Sequence, residues 1–152
     1  MARVIAPGDA RKLGLPGRTS LEILSAAQGS KGVTLRLVEI PVPRPGDAPR
    51  GRHQHSDFEE CIYVLKGRGT TFAGDSELAV QAGDTIHIPP REPHVTRNTG
   101  DEPLVLLCFF PTADVSAGTQ EGLQRKLDPL RRDVIGHLRF DALHADLLTQ
   151  AA

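Results

Sequence analysis

Aromatic residues are scarce in this chain of 152 residues, which has no tryptophan, one tyrosine and five phenylalanines. So few rings argue against the stacking platforms on which proteins bind single-stranded nucleic acid or sugars. The chain also has no excess of charge of one sign. Its 18 Lys and Arg residues nearly balance its 19 Asp and Glu residues, which gives a formal net charge of −1. No positive excess is left to attract nucleic acid or anionic lipid. We therefore expect neither a nucleic-acid partner nor a membrane partner.

Cysteine and long apolar runs are also scarce. Two cysteines, Cys61 and Cys108, are too few for a disulfide framework, and we expect both to be reduced thiols. The longest apolar run, residues 104–110, is far too short to cross a bilayer. Residues 1–17 contain charges and glycines but no apolar stretch of the kind found in signal peptides. These features predict a soluble cytoplasmic protein.

Short strand-like segments separated by turns fill most of the chain. The 15 glycines and 12 prolines indicate many turns, while an apolar fraction of 39% is enough for a packed core. Segments rich in alternating and β-branched residues predict eight strands, at residues 21–24, 33–40, 61–65, 70–72, 77–80, 85–88, 95–98 and 104–110. Many short strands with frequent turns are typical of a β-sandwich or a β-barrel.

Two segments depart from this pattern. Residues 41–52 contain four prolines and two glycines, which predicts an extended loop. Beyond Pro111, the pair Asp128-Pro129 is typical of a helix start, and leucines recur at helical spacing after it. We therefore divide the chain into a β-barrel with its N-terminal segment, residues 1–111, and a helical C-terminal tail, residues 112–152. The tail is expected to pack on the barrel or on a second subunit.

Three histidines and one glutamate have the spacing of a metal site. His53 and His55 are two residues apart, so on a strand both imidazoles leave the same face. Glu60 follows at the start of the next predicted strand, and His94 comes from a distant segment. Imidazole nitrogens with one carboxylate oxygen form a donor set for a first-row transition ion. Such a set leaves open coordination positions for substrate, water or dioxygen.

The same residues carry a resemblance to the cupin family. The first cupin motif, G-x5-H-x-H-x3/4-E-x6-G, is matched from its histidines onward by His53, His55, Glu60 and Gly67. The leading glycine is displaced by one position, to Gly46. The second motif, G-x5-P-x-G-x2-H-x3-N, is matched by Gly83, Pro89, His94 and Asn98. Arg91 stands where the second motif expects its middle glycine. The resemblance covers residues 18–111.

This resemblance implies an all-β fold, the cupin-type double-stranded β-helix or jelly-roll barrel, to which the tail adds a short C-terminal helical extension. It implies that His53, His55, Glu60 and His94 bind one divalent transition metal. Iron or manganese is favoured, with nickel, cobalt and zinc as alternatives. Cupins are commonly dimers, so the resemblance also implies a homodimer.

The activity that the resemblance implies is that of a metal-dependent cupin enzyme acting on a small oxygen-bearing substrate by oxygenase-type, dioxygenase-like chemistry or a related lyase reaction. The alternative is a non-catalytic small-molecule-binding or sensing cupin. Metal-free cupin epimerases use a tyrosine acid, but Tyr63, the single tyrosine, is predicted to face away from the metal. No general base is identified among the residues near the motifs, so the catalytic residue stays unassigned.

Three further residues are candidates for lining the pocket. Arg36 lies on a strand, where an inward side chain would meet a carboxylate substrate and an outward one would meet solvent. Cys108 lies on the last predicted barrel strand as either a pocket or a core residue. Asn98 is expected to orient the strand of His94 through side-chain hydrogen bonds. Glu59, next to Glu60, should face away from the metal by strand alternation.

Overall fold

Residues 1–123 are described by the computed structural model and contain eleven β-strands in two antiparallel sheets. The strands are β1 (Arg11–Leu13), β2 (Thr19–Leu24), β3 (Thr34–Ile40), β4 (Arg52–His55), β5 (Glu60–Lys66), β6 (Arg68–Ala73), β7 (Ser76–Gln81), β8 (Thr85–Ile88), β9 (His94–Asn98), β10 (Leu104–Phe110) and β11 (Thr119–Leu123). Three short 3-10 helices lie at Pro7–Asp9, Ala26–Gln28 and Ser116–Gly118. Within this part of the chain, no helix has the length and apolar character needed to cross a membrane.

The chain alternates between the two sheets, as in a jelly roll. One sheet has the order β1-β2-β3-β10-β5-β8 and the other has the order β11-β4-β9-β6-β7. From β3 onward, every connection except the β6–β7 hairpin carries the chain from one sheet to the other. The predicted all-β jelly-roll fold is therefore confirmed.

Strand alternation determines which side chains fill the interior. Along β5, Ile62 and Val64 are buried, whereas Tyr63 and Leu65 between and beyond them are exposed. Along β10, alternate residues from Leu104 to Phe110 are buried in the same way. Glu60 begins β5 in phase with Ile62, so its carboxylate also points into the barrel. The alternation of β5 thus places the carboxylate of Glu60 on the same buried face as the apolar side chains.

All eight predicted strands are present with bounds that differ by at most two residues at either end, and three strands were not predicted. The unpredicted strands are β1, β4 and β11. β4 has the sequence Arg-His-Gln-His and therefore lacks the alternating apolar residues by which strands are predicted. Two of its side chains, His53 and His55, belong to the candidate metal site instead of the apolar core. The predicted loop of residues 41–52 ends where this strand begins.

The barrel does not end at residue 111, which corrects the predicted boundary of the helical tail. Residues 112–123 contain bends, the 3-10 helix Ser116–Gly118 and β11, which pairs antiparallel with β4. Thr119 stands opposite His55, and Glu121 stands opposite His53. The first part of the predicted tail is therefore a strand beside the site. The helices predicted from Asp128 onward lie outside the described residues.

Candidate metal centre

The two sheets bring three histidines and one glutamate to a single point. β4 supplies His53 and His55, and β9, which pairs with β4, supplies His94 directly opposite His53. Glu60 comes from the start of β5 in the other sheet. The candidate ligand atoms of these four side chains all lie within 4.8 Å of one another. His55, Glu60 and His94 are buried, and His53 is partly exposed.

One oxygen of Glu60 lies at the middle of the cluster. Its Oε2 is 3.2 Å from Nε2 of His55 and 2.9 Å from Nε2 of His94. The other ring nitrogen of His94, Nδ1, lies 2.8 Å from the carbonyl oxygen of Glu92. Because a carbonyl oxygen can only accept, Nδ1 of His94 carries a proton, and Nε2 is the nitrogen that faces Glu60.

A second chain of hydrogen bonds orients His55 in the same way. Its Nδ1 lies 3.0 Å from Oγ1 of Thr119, whose hydroxyl donates to the carbonyl oxygen of Val115 at 2.6 Å. Because the hydroxyl proton of Thr119 is donated to Val115, its Oγ1 can only accept from His55, and the donor is Nδ1–H of His55. The Nε2 atoms of both rings therefore face the same carboxylate oxygen. Either a proton on Nε2 or a cation between the three atoms joins the rings to Glu60.

The ionisation of the cluster follows from burial and from these contacts. Burial, and then neighbouring His94, lower the pKa of His53 to about 3, so the ring is neutral. Burial alone would raise the pKa of Glu60, but its hydrogen bonds with His55 and His94 outweigh burial and lower it. Burial alone would lower the pKa of His94, but its hydrogen bond to Glu60 reverses the direction. The cluster therefore holds a carboxylate that attracts a positive charge.

These residues fit a divalent transition ion. Metal-bound histidines usually donate their second ring N–H to a carbonyl, carboxylate or hydroxyl group, as His55 and His94 do here. Nδ1 of His53 is buried and has no hydrogen-bond partner among residues 1–123. Imidazole and carboxylate donors together suit iron, manganese, nickel, cobalt and zinc, so the donor set does not select one of them.

Glu59 and His87 lie outside the cluster. The Glu59 carboxylate accepts a hydrogen bond from Nε2 of His87 at 2.8 Å on the exposed side of the sheet. The prediction that Glu59 faces away, with Glu60 facing inward, is confirmed. Tyr63 also points outward, as predicted, and is 42% exposed.

The turn before His94 forms even though Arg91 stands where the second motif expects glycine. Arg91 adopts the left-handed conformation, with φ at +66°. Its backbone N–H donates to the carbonyl oxygen of His55 at 2.6 Å, and its Nε donates to that of Ser56 at 3.2 Å. The turn is therefore held against β4 by hydrogen bonds, which offset the strain of a side chain at a positive φ.

Two cavities adjoin the cluster. The larger, about 610 Å³, opens beside His53 and His55. The smaller, about 60 Å³, lies inside the barrel and is lined by His53, Glu60 and His94. Arg36 lines both cavities, but its Nη2 lies 2.9 Å from Oε2 of buried Glu22. Of the two positions left open for Arg36, the structure has the inward one, and the carboxylate that Arg36 meets belongs to this chain.

The other two pocket candidates have different surroundings. Cys108 is buried in the apolar core and also lines the smaller cavity, so both predicted positions describe it. Burial, and then the nearby Glu60 carboxylate, raise the pKa of the Cys108 thiol well above its usual range. Asn98 lines neither cavity, which corrects its place among the pocket candidates. Its amide donates to the carbonyl oxygens of Ile40 and Glu102, as expected of an orienting residue.

Sequence reasoning missed several charged residues around the cavities. Glu22 accepts hydrogen bonds from Arg11 and Ser25 as well as from Arg36. Arg18 lines both cavities, and Arg50 lines the smaller one. Burial, and then neighbouring Arg18, lower the pKa of Arg50 to about 10. One sequence signal could have revealed such residues: the charged Glu22 and Arg36 interrupt the apolar strands β2 and β3.

A family sequence model described as "Cupin domain" matches residues 42–110, which include all four residues of the cluster. The chain carries a cupin domain. An uncharacterized protein of Methanocaldococcus jannaschii is 41% identical over 78 residues, which are 51% of this chain and 61% of that relative. The oxalate decarboxylase OxdC of Bacillus subtilis is 38% identical over 95 residues, 57% of this chain and 24% of that enzyme. The matches span less than two thirds of either relative.

The cupin fold is also found in solved structures. The polyketide cyclase RemF from Streptomyces resistomycificus superposes with a TM-score of 0.62, covering 83% of this chain and 89% of that protein. The two sequences are 20% identical in this comparison, so the likeness shows the shared fold alone.

Proposed function

We propose that this cupin is a metal-dependent enzyme that acts on a small oxygen-bearing substrate by oxygenase-type or related lyase chemistry. The observation that carries the proposal is the orientation of the ring nitrogens at Glu60. Oxygens from Glu92 and Thr119 accept from Nδ1 of His94 and His55, so that the Nε2 atoms of both rings face one carboxylate oxygen. A divalent ion at this point would take the place of a proton between these atoms and complete the site.

The residues of this chain would hold the ion and shape the space beside it. His53, His55, Glu60 and His94 would be its ligands. When bound, the ion supplies Lewis-acid polarisation of substrate oxygens or redox chemistry with dioxygen. The larger cavity reaches His53 and His55, so a substrate enters the cluster from that side. The neutral Cys108 thiol and the core around it keep bulk water from the inner side.

Two further observations support parts of the proposal. The relative named oxalate decarboxylase supports the lyase branch, because decarboxylation belongs to that class. Cys61 and Cys108 are both free thiols, which supports a reducing, cytoplasmic setting.

Metal analysis tests the first half of the proposal. Protein purified without chelator should contain about one transition ion per chain, as expected for one complete ligand set. Glu60→Ala should remove most of the metal, because it removes the charged ligand from the middle of the cluster. Glu59→Ala is the matched control and should retain it, since Glu59 contacts His87 on the outer surface. Equal loss of metal from both variants would contradict the ligand assignment.

Turnover tests the second half. Protein loaded with iron or manganese should consume oxygen, or release a product, with at least one member of a panel of diketones, catechols and small acids. The Glu60→Ala variant should be inactive with the same compound. Tight binding without any turnover across the panel would instead support the non-catalytic binding cupin.

A further inference from the structure

Two arginines lie beside the cluster with little negative charge near them. Arg18 precedes β2 and lines both cavities, and Arg50 precedes β4 and lines the smaller cavity with Glu60 and His94. The two arginines are neighbours in space, since a Cβ at Gly17 would lie 3.2 Å from Cγ of Arg50. Both side chains line the smaller cavity.

Neither guanidinium group is fully paired. Nε of Arg50 is buried and has no hydrogen-bond partner within residues 1–123, and its Nη1 lies 3.4 Å from the carbonyl oxygen of Thr96. Nη2 of Arg18 lies 4.0 Å from Oε1 of Glu121, which is beyond hydrogen-bond distance. The Arg18 side chain is 11% exposed, whereas that of Glu121 is 60% exposed and well hydrated. This ion pair compensates little of the buried charge.

The buried carboxylates of the cavity are occupied elsewhere. Glu22 accepts from Arg11 at 2.7 Å and from Arg36 at 2.9 Å, and its Oε1 also accepts from Ser25. Glu60 lies among the histidines. Buried charges in proteins are normally paired or bound to a ligand, because removing them from water is costly. Arg18 and Arg50 are largely shielded from water and have only the long ion pair to Glu121 near them, so an anion in the cavity would be attracted by both charges.

We propose that Arg18 and Arg50 bind the carboxylate of a small organic acid, which is the substrate of the metal centre. This inference names the substrate class of the proposed enzyme, and to that extent it rests on the proposed function. A guanidinium fork matches a carboxylate with two parallel hydrogen bonds, which favours this anion.

The sizes of the two cavities agree with this class. The smaller cavity, about 60 Å³, has room for a group the size of a carboxylate, since a water molecule takes about 30 Å³ in the liquid. It also touches Glu60 and His94, so the bound carboxylate lies next to the cluster. The larger cavity, about 610 Å³, continues past Arg18 and accommodates the rest of the molecule. Apolar side chains such as Ile62 and Leu106 line the inner space and strengthen the attraction there.

Calorimetric titration with acetate, malonate and succinate tests the inference, with their neutral amides as matched controls. Each titration is done with zinc-loaded protein and with chelator-treated protein, so that direct binding of acid to metal is separated from binding to arginine. At least one acid should bind in both forms, and its amide should not. Arg18→Gln and Arg50→Gln should each weaken that binding about tenfold or more. Arg50→Lys should have an intermediate effect, because lysine keeps the charge and loses the fork.

Arg68→Gln serves as the control variant, because Arg68 is an exposed residue 3.6 Å from Asp101 and lines neither cavity of the metal centre. It should leave acid binding unchanged. If Arg18→Gln and Arg50→Gln bind zinc normally and bind the acid as tightly as the parent protein does, the inference is overturned while the metal centre stands. Arginine-dependent acid binding in a protein that holds no metal would reject the proposed function and support the anion site. Equal binding of inorganic phosphate, or no binding of any acid, would overturn the carboxylate assignment.

Discussion

Thr119 binds no metal in our proposal, yet it determines the orientation of a ligand. Its hydroxyl donates to Val115 and accepts from His55, which leaves Nε2 of His55 free to act as a donor atom. Partners of this kind fix the ring tautomer and raise metal affinity. Glu92 does the same for His94 through its backbone carbonyl, so no side-chain substitution at Glu92 removes that contact directly.

Replacing Thr119 with valine tests this role at the scale of one residue. Thr119→Val keeps the size and shape of the side chain and removes the hydrogen-bond acceptor of His55. We expect the affinity for zinc to fall about 10-fold to 100-fold, measured by competition with a chromophoric chelator. Thr85→Val is the matched control, because Thr85 is an exposed residue on β8. An unchanged affinity in Thr119→Val would mean that the orientation of His55 is set by packing instead.

At the scale of elements, the turn between β8 and β9 shows how backbone contacts replace a motif residue. Arg91 sits at a φ of +66° and is tied to His55 and Ser56 across the turn. The left-handed conformation costs roughly 1–2 kcal/mol for a residue with a side chain. The side-chain bond to Ser56 is exposed and recovers only part of this cost.

Glycine at this position should therefore be tolerated or favourable. We expect Arg91→Gly to raise the free energy of unfolding by about 0.5–1 kcal/mol, because glycine adopts a positive φ without strain. Urea unfolding of chelator-treated protein measures this difference directly. Arg91→Ala keeps the strain and loses the bond to Ser56, so it should be less stable than Arg91→Gly. Equal stability of the two variants would show that the backbone at residue 91 is not strained.

β11 is the second element on which the site depends, although it lies beyond the predicted barrel. It pairs with β4 and supplies Thr119, so the four ligands alone do not complete the centre. Two truncations separate the strand from the predicted helices. A chain ending after residue 123 should retain its metal, and one ending after residue 111 should lose most of it. Retention of metal by the shorter chain would show that β11 is dispensable for the site.

At the scale of the whole molecule, an apolar surface lies on the outer face of the six-stranded sheet. Its most exposed members are Tyr63, Leu65 and Phe109, at 42%, 46% and 41% exposure. They lie on neighbouring strands, since β10 pairs with β5 in register. We propose that a second copy of the chain covers this face, because contiguous exposed apolar surface commonly marks an interface.

Light scattering at micromolar concentration should therefore give the mass of a homodimer. The double variant Tyr63→Lys and Phe109→Lys should give a monomer, because it places charges in the proposed interface. Leu78→Lys is the control, since Leu78 is 45% exposed on β7 of the other sheet. A monomeric parent chain would contradict the dimer.

Local pattern was enough to predict short strands in a sandwich or barrel, and the resemblance to the two cupin motifs added the jelly roll and the choice of candidate ligands. Strand alternation places Glu60 inward and Glu59 outward, and the spacing of His53 and His55 puts both rings on one face of β4. These properties depend on neighbours one or two residues away, so they can be read along the chain. Only the tertiary structure decided that Thr119 orients His55, that Glu22 pairs with Arg36 and that Arg18 lies beside Arg50. Those contacts join polar residues that are distant in sequence, and no periodicity marks them, because strand pairing and burial bring them together.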